Sequence, residues 1–417
     1  MRRMALFTMA LVVLARPAWG FAQQGGGKTN APAVNSAANS VDDPPATSPR
    51  IESVVPLARQ PQETDAATIW YDAFDGVPKA YTESSGGLDA NVAFGGSGRS
   101  MPCLYEAGKH GEGNRKVFFG DSPTGKVVRR GQTFTDVYWR IYVRHQDGWT
   151  GGSPAKMSRA TSIVSGRWNQ AMISHVWGSN RWFLTLDPAS GVRGETVATT
   201  KYNDFGNLHW LGNRPWSKFP IHAQRESGWW VCVESRAKLN TPGKADGVNQ
   251  LWIDGRLEAE RTGLNWRGSY RGHGINAVFL ESYWNEGSPI RQMRWYDNFV
   301  ISTSPIGPVL CGRNPTLIKT AFRGRGDQAG WEAELAADAD GRQVVWQSSL
   351  LAGGDRAQVD AKTGRFVGSP AGGGRLAAGA RYWCRVREKF VEKSAEKSDA
   401  GEWSQWSPWH QCFATGQ

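Results

Sequence analysis

Short segments in which apolar and polar side chains alternate recur between about residue 68 and residue 307. Turn residues separate these segments, and no long helical period occurs. The clearest are Val137–His145, Asn169–Trp177, Arg181–Leu186, Trp229–Leu239, Gln250–Ile253, Ile275–Trp284 and Gln292–Ser302. Asp254-Gly255, which stands between two such runs, is typical of a two-residue hairpin turn. The pattern predicts an all-β domain over residues 67–307, built as a large two-sheet sandwich and not from βαβ units.

A second pattern begins after the Ser304-Pro305-Ile306-Gly307-Pro308 segment. Within it, Leu376-Ala377-Ala378-Gly379-Ala380-Arg381-Tyr382 is followed by Cys384 and Val386. This run resembles the tyrosine corner of fibronectin type III and immunoglobulin-like sandwiches, in which the tyrosine hydroxyl bonds to backbone upstream. Residues 308–417 are therefore predicted to form a smaller, fibronectin type III-like sandwich.

Tryptophans spaced by three residues, Trp403, Trp406 and Trp409, occur near the end of the chain. Arg385 and Arg387 share one face of the strand before them. We expect the two arginines to stack between Trp403 and Trp406, each stacked pair contributing on the order of 0.5–1 kcal/mol. The arrangement resembles the WSxWS box of fibronectin-type cytokine-receptor domains. A structural brace is favoured, and ligand binding is the alternative.

The first 22 residues begin with two arginines, followed by a short apolar run and then small residues, which is the order of a secretory signal peptide. The apolar run is shorter than the roughly 20 residues that a membrane span needs. Residues 23–66 are rich in Gln, Gly, Asn, Ala, Ser and Pro, and this composition predicts a disordered linker. We expect a secreted protein, periplasmic or extracellular, that does not insert into a membrane.

The chain is basic, with a formal net charge of +11. Removal of residues 1–22 would take away three arginines and no acidic residue, and would lower the charge to +8. A basic exported protein favours acidic partners, of which an acidic polysaccharide is expected here and nucleic acid is not. Solubility alone is the alternative explanation. The odd number of cysteines, five, leaves at least one thiol unpaired or paired between chains, and the oligomeric state stays open.

Polar side chains share one face of two predicted strands. On Val137–His145, apolar residues alternate with Arg140, Tyr142 and Arg144. On Trp229–Leu239, the corresponding residues are Glu234, Arg236 and Lys238. His175 and Tyr283 lie near the ends of other strands. Gathered on one concave sheet, these residues would form a basic, aromatic-lined groove, whereas the alternative is an ordinary solvated face with a packed histidine.

Four segments carry a resemblance to a known family. They are Val137-Tyr138-Trp139-Arg140-Ile141-Tyr142-Val143-Arg144, Trp230-Val231-Cys232-Val233-Glu234, Lys238-Leu239-Asn240-Thr241-Pro242-Gly243 with Asp246-Gly247-Val248, and Tyr296-Asp297-Asn298-Phe299-Val300-Ile301-Ser302. In this order and spacing they resemble the concanavalin A-like jelly roll of polysaccharide lyase family 14, the alginate-lyase-like group. The resemblance covers about residues 68–307 and implies a jelly-roll sandwich.

The resemblance also implies a chemistry, β-elimination across a uronic acid. A base removes the C5 proton, cations stabilise the carboxylate, and an acid helps the 4-oxygen to leave. Lys156 stands where the family carries a lysine-led motif important for activity. The family's Ser-x-Arg and Tyr-x-Tyr pairs have no counterpart here. Either Tyr142, Tyr283 or His175 transfers the proton, or the domain binds sugar without cleaving it, or the chain is an adhesion protein whose second domain is the working part.

The sequence shows no paired-acid strand motif of a sandwich glucanase, no zinc ligand set and no convincing serine-nucleophile elbow. No cofactor is expected. Asp297 and Asn298 could bind a structural calcium ion, because oxygen ligands at strand ends suit it. A role in the turn or strand end is the favoured interpretation of these two residues.

Overall fold

Strands follow one another along nearly the whole described chain, as the alternating pattern predicts, and the all-β fold class is confirmed. The structure is a computed structural model that describes residues 49–179, 182–212, 214–323, 326–368, 374–391 and 401–416. The expected signal peptide and residues 23–48 of the expected linker lie outside these ranges. The described residues fall within one compact unit.

The first eighteen strands span the N-terminal segment and the larger domain. In chain order they are β1 (Ile51–Leu57), β2 (Thr68–Asp72), β3 (Glu83–Ser85), β4 (Met101–Tyr105), β5 (Asn114–Phe119), β6 (Val127–Val128), β7 (Asp136–His145), β8 (Lys156–Ile163), β9 (Gln170–Ser179), β10 (Phe183–Ser190), β11 (Val192–Arg193), β12 (Thr196–Val197), β13 (His209–Trp210), β14 (Trp230–Lys238), β15 (Gly247–Ile253), β16 (Arg256–Leu264), β17 (Ala277–Glu281) and β18 (Gln292–Ser302).

The remaining strands follow in the smaller sandwich. They are β19 (Leu310–Lys319), β20 (Asp327–Ala336), β21 (Val344–Ser348), β22 (Arg356–Gln358), β23 (Gly364–Phe366), β24 (Arg381–Val391), β25 (Glu402–Trp403) and β26 (His410–Thr415). Two short 3₁₀ helices, Phe94–Gly96 and Gln224–Glu226, lie in the larger domain.

Two large sheets form the larger domain, beside a two-stranded sheet of β11 and β12. An eight-stranded sheet has the order β13-β10-β9-β8-β17-β5-β3 with β6 beside β5, and a seven-stranded sheet has the order β16-β15-β14-β7-β18-β2 with β4 beside β18. The main apolar core lies between them and includes Trp139, Ile141 and Val143, the apolar side of β7. Burial of each large apolar side chain contributes roughly 1.5–3 kcal/mol.

The Asp254-Gly255 hairpin forms as predicted. It joins β15 to β16 in antiparallel register, and both turn residues have positive φ, 46° and 74°. Positive φ at both central residues is the type I′ geometry, which matches the right-handed twist of the flanking strands. The turn also contacts the smaller sandwich, because the Trp383 indole N–H donates to the Asp254 carbonyl oxygen at 2.9 Å.

The smaller sandwich contains the predicted tyrosine corner. The Tyr382 hydroxyl accepts a hydrogen bond from the Ala377 backbone N–H at 2.9 Å. Strands β26, β24, β20 and β21 are neighbours in that order within a nine-stranded sheet. The hydrogen bond holds the chain that leads into β24. The assignment of this domain to the fibronectin type III class stays a prediction.

The predicted stack of arginine and tryptophan side chains is present, and it includes a third tryptophan, Trp409, that was not expected in it. The Arg387 guanidinium lies 4.2 Å from the ring centroid of Trp403 and 4.6 Å from that of Trp406. The Arg385 guanidinium lies 4.6 Å from Trp406 and 4.5 Å from Trp409, not between Trp403 and Trp406. Ion pairs to glutamates on β20 fix both arginines, so the stack ties the last segment of the chain to the sheet.

Replacement of Trp406 by alanine should lower the free energy of unfolding by about 2 kcal/mol, since the ring stacks on two guanidiniums at once. Chemical denaturation would measure the loss. Trp403→Ala is the matched control, with a smaller expected loss, because its ring lies close to only one guanidinium. Loss of polysaccharide binding with unchanged stability would overturn the brace interpretation.

The linker prediction is wrong for residues 51–57, which form β1. This strand pairs antiparallel with β19 of the smaller sandwich, Val54 lying opposite Leu317. Ile51 and Val54 are buried in the core of that sandwich, 3% and 1% exposed. Their burial gives a segment of otherwise polar composition enough contact area to be ordered.

A second apolar core joins the two sandwiches. Tyr142, Trp230 and Trp295 from the seven-stranded sheet pack in one cluster with residues of the smaller sandwich such as Phe413. The part of the outer face of the seven-stranded sheet that carries these three residues is therefore covered and not open to a ligand.

Two findings bear on the compartment. All five cysteines are buried free thiols, and burial raises the pKa of Cys103 and of Cys311 to about 12. Nowhere in the described ranges is there a helix with the length and apolar character that a membrane crossing requires.

Candidate functional site

The face of the eight-stranded sheet that turns away from the main core, here called the polar face, carries one row of side chains. Phe279 on β17 lies opposite Arg159 on β8, Arg159 opposite His175 on β9, and His175 opposite Asp187 on β10. Direct cross-strand partners point to the same side of a sheet. The row therefore crosses four adjacent strands.

Lys156 reaches the polar face through a register shift between Lys156 and Ser158. Three residues apart on a regular strand, Lys156 and Arg159 would point to opposite faces, and the irregularity brings them together. The Lys156 amine lies 4.7 Å from the ring centroid of Tyr283, and the Tyr283 ring also stacks on that of His110 at a centroid distance of 4.5 Å. Lys156 is 8% exposed and Tyr283 is 43% exposed.

The charge of Lys156 has no direct counterion among the described residues. Burial lowers the pKa of Lys156, an effect that Glu281 opposes and Arg159 reinforces. Arg159, in contrast, is fully buried and paired: it contacts Glu281 and Tyr202 and donates to the Asn203 side-chain oxygen at 2.8 Å. Lys156 is thus the cation on this face whose charge remains available to a ligand.

His175 lies beneath this surface, 2% exposed, with its ring roughly parallel to those of Trp177 and Trp210 at centroid distances of 5.7 and 6.3 Å. Burial lowers its pKa well below 6.5, and the cations Arg159, Lys156 and Arg214 lower it further. The imidazole is therefore neutral at neutral pH.

Six of the buried side-chain atoms that lack a hydrogen-bond partner belong to the polar face, and others occur throughout the described chain. The six are both His175 ring nitrogens, Trp177 Nε1, Asp187 Oδ2, Glu281 Oε2 and Arg159 Nε. Each such atom costs about 1–3 kcal/mol of stability, and buried polar atoms without partners call for a functional or solvent-related explanation. The polar face is taken as the candidate site because these atoms lie on the same sheet face as Lys156, which contacts the exposed Tyr283 ring.

The expectation that Arg140 and Tyr142 line the same groove as Lys156 is wrong. Both are fully buried on the covered outer face of the seven-stranded sheet. Arg140 donates to the carbonyl oxygens of Gly307 and Asn298 at 3.1 and 3.3 Å, and the Tyr142 hydroxyl accepts from the Val309 N–H at 2.9 Å. Burial raises the pKa of Tyr142 well above 10.

The remaining substrate-binding candidates also belong to the seven-stranded sheet. Arg144 pairs with Glu52. The Glu234 carboxylate accepts the backbone N–H groups of Ile306 and Gly307 at 2.9 and 2.8 Å, so it holds the chain between the sandwiches. Arg236 pairs with Asp136 at 2.7 Å, and Lys238 is exposed at the end of β14. None of them lies on the polar face, and Lys156, His175 and Tyr283 are the candidates that the structure brings together.

Several residues of the polar face escaped the sequence analysis. Asp187 alternates with the buried Leu184 and Leu186 on β10, and that period of two could have revealed it. Arg214 and Trp216 lie in the segment after β13, where no periodic pattern marks them. Glu281 stands at the end of β17, and only the register places it beside Arg159.

Asp297 and Asn298 are built into the fold. The Asp297 carboxylate accepts backbone N–H groups from Phe94 at 2.9 Å and Asn298 at 2.6 Å, and burial raises its pKa well above 3.8. Asn298 has a φ of 50°, which suits a strand irregularity. Within the described ranges, no three His, Cys, Asp or Glu residues are grouped so that they could hold a metal ion.

Comparison with known proteins returns solved structures alone, since no protein-family model and no curated protein matches the chain. An endo-β-1,4-glucuronan lyase from the fungus Trichoderma reesei is 14% identical, with a TM-score of 0.40 over 57% of this chain and 96% of that one. A PL-14 alginate lyase from Aplysia kurodai is 14% identical, with a TM-score of 0.38 over 57% and 99%. Alginate lyase vAL-1 from Chlorella virus is 14% identical, with a TM-score of 0.37 over 54% and 91%. The solved structures that the chain is similar to thus include polysaccharide lyases.

Proposed function

We propose that the protein binds an acidic polysaccharide on the polar face and that Lys156 pairs with the carboxylate of a uronate unit. The observation that carries the proposal is the contact of a lysine that has no ion pair among the described residues with an exposed aromatic ring, Tyr283. A cation suits the carboxylate of such a sugar, and a flat ring suits its apolar face.

We further propose that the bound chain is cleaved by β-elimination. Tyr283, in its deprotonated form, takes the proton from C5 of the uronate. The electron pair of that C–H bond forms the C4–C5 double bond as the bond from C4 to O4 breaks. Tyr283 then returns the proton to O4 of the leaving chain, so that atoms and charge balance without water. Lys156 stabilises the carboxylate on which negative charge develops.

His175 has a supporting role in this proposal. Both of its nitrogens are buried, so the exposed Tyr283 is better placed to reach a sugar. A neutral imidazole adds no positive charge beside Lys156, and the ring supports the layer of aromatic side chains above it.

Binding without cleavage is the second candidate function. The burial of Lys156 and His175 favours it, because only Tyr283 of the three candidate catalytic side chains is well exposed. The two candidates differ in a single observable. Cleavage produces an unsaturated sugar that absorbs ultraviolet light, and binding alone does not.

The test is to incubate the purified protein with alginate, polyglucuronate and pectate and to follow ultraviolet absorbance. An increase in absorbance with at least one polymer is the expected result. Retention on an affinity gel without any absorbance would exclude cleavage and leave the binding function. If the protein is not retained on the gel and no absorbance develops, both candidate functions are overturned.

Replacement of Lys156 by alanine should reduce the elimination rate by a factor of about 100 or more, since the charge that stabilises the developing carboxylate is lost. Lys238→Ala is the matched control, a lysine exposed on the other sheet, and it should behave like the wild type. The absorbance assay and affinity electrophoresis measure the two effects. Full activity in the Lys156 variant would contradict the site assignment.

Export to the periplasm or the medium is part of the proposal. It is supported by the order of charged, apolar and small residues at the start of the chain. Sequencing the N-terminus of the protein isolated from its source would test it, and a protein that still carries residues 1–22 would count against it.

A further inference from the structure

Exposed aromatic side chains are confined to one region of the described chain. The sequence contains 21 Trp, 10 Tyr and 16 Phe, and nearly all that the structure describes are buried or half-buried. Within the described ranges, the aromatic side chains among the exposed large hydrophobic residues are Phe205, Trp216 and Tyr283, which are 51%, 52% and 43% exposed. Tyr283 contacts Lys156, and the other two belong to the segment beside β10 and β13.

Trp216 is held in place by the backbone beneath it. Its residue forms an antiparallel bridge with Thr185 of β10. The next residue, Ser217, donates its N–H to the Leu184 carbonyl at 2.8 Å and accepts the Leu184 N–H through its hydroxyl at 3.1 Å. The Trp216 ring is therefore held on a fixed backbone, and its exposed half is available for contact with a ligand.

Phe205 continues this surface next to the cluster around His175. Its ring is parallel to that of Trp210 within 16°, at a centroid distance of 6.4 Å. The Arg214 guanidinium lies 5.7 Å from the ring of Trp177 and 6.0 Å from that of Trp210. Its Nε donates to Asp187 Oδ1 at 3.0 Å, and 53% of its side chain remains exposed. An exposed cation therefore accompanies the exposed rings.

Trp216 and Tyr283 lie on opposite sides of Lys156. Trp216 is bridged to Thr185 on the edge of β10 that faces away from β9, and Tyr283 follows β17, so β10, β9 and β8 lie between the two residues. With neighbouring strands about 4.8 Å apart, β10 and β17 are separated by roughly 14 Å. A ligand that touches both rings must be longer than one sugar unit.

We propose that Trp216 and Phe205 form a stacking subsite for a sugar ring of the acidic polysaccharide, distant from the unit held by Lys156, with Arg214 pairing with a carboxylate in the same stretch. The proposal rests on the proposed function and specifies its ligand as an internal segment of several uronate units. Each unit of such a chain offers an apolar face and a carboxylate, which matches the alternation of rings and cations across the strands.

The test measures the affinity of the wild type and four variants, including Lys156→Ala, for uronate oligosaccharides of increasing length, from disaccharide to hexasaccharide, and for the polymer. In the wild type, affinity should rise with length. Trp216→Ala should lose about tenfold in affinity for the longest ligands and little for the disaccharide. Trp216→Phe should keep part of the gain. Trp252→Ala is the matched control, a half-buried tryptophan of the seven-stranded sheet, and should bind like the wild type.

Three outcomes would overturn the proposal. If Trp216→Ala binds long and short ligands like the wild type while Lys156→Ala does not, the subsite is wrong and the proposed function stands. If Trp216→Ala weakens all lengths equally and lowers the melting temperature, the ring is structural. If the wild type binds no uronate polymer at all, the proposed function itself fails and the subsite fails with it.

Discussion

We expect the free energy of unfolding to fall by about 2 kcal/mol between pH 6.5 and pH 5.5. The cause is a set of three buried histidines, His145, His175 and His222, whose pKa values burial lowers well below 6.5. Two of them surround a buried cation. The Arg294 guanidinium donates to His145 Nε2 at 3.0 Å, and its other end lies 3.3 Å from His222 Nε2. A proton on either ring would stand beside a positive charge.

The direction follows from the two states of the protein. Above pH 6.5 these histidines are neutral whether the chain is folded or unfolded. Below pH 6.5, the histidines of the unfolded chain bind protons that the buried histidines of the folded chain do not bind. The free energy of unfolding therefore decreases as pH falls. Each histidine contributes about 1 kcal/mol over this interval. Asp297 acts in the opposite direction, since burial raises its pKa and lets the folded state bind a proton first, so the net loss of stability is smaller than the sum of the three histidine contributions.

Urea denaturation at pH 7.5, 6.5 and 5.5 measures the effect. His222→Gln should reduce the pH dependence by about one third of the histidine contribution, whereas His209→Gln, at an exposed position, should leave it unchanged. Constant stability across the three pH values would show that the buried histidines do not control acid sensitivity.

Replacement of Arg140 by alanine should lower the free energy of unfolding by about 3 kcal/mol or more. The guanidinium is fully buried, and its loss leaves the carbonyl oxygens of Gly307 and Asn298 without their donor in the contact between the sandwiches. Arg236→Ala is the matched control on the same sheet. Its partly exposed pair with Asp136 should contribute less than about 1 kcal/mol.

The same variant separates two roles for Arg140. Folded Arg140→Ala protein should bind acidic polysaccharide like the wild type, because the side chain lies on the sheet opposite to the polar face. Calorimetric unfolding measures the stability of the variant, and affinity electrophoresis measures its binding to the polysaccharide. Normal stability combined with lost binding would restore the substrate-binding role that the sequence pattern favoured.

The outcome for Arg140 shows what alternation can and cannot predict. A period of two identifies the two faces of a strand, and the apolar face of β7 does pack in the main core. The polar face of a strand has the same pattern whether solvent, a ligand or another domain covers it. Tyr142 and Glu234 were misplaced for this reason, because their partners, residues 306–309, belong to the connection after β18.

Lys156 and the tryptophan stack show which features local sequence spacing predicts and which depend on strand register. The strand irregularity that brings Lys156 next to Arg159 has no counterpart in the period of the sequence, so only the position of Lys156 was predictable. The stack was predicted because its spacing of three residues is local. Its shift towards Trp409 depends on how the last segment pairs with β24, and that register is set by contacts distant in sequence.

Strand β1 has a consequence for how the chain is assembled during synthesis. It emerges early, yet it pairs with β19. Just before the strand, the Arg50 N–H donates to the hydroxyl of Thr320, 270 positions later. The whole larger domain is therefore an insertion between two adjacent strands of the smaller one. Closing so long a loop is slow, so the larger domain can fold first and bring its two ends together, after which the smaller sandwich closes last.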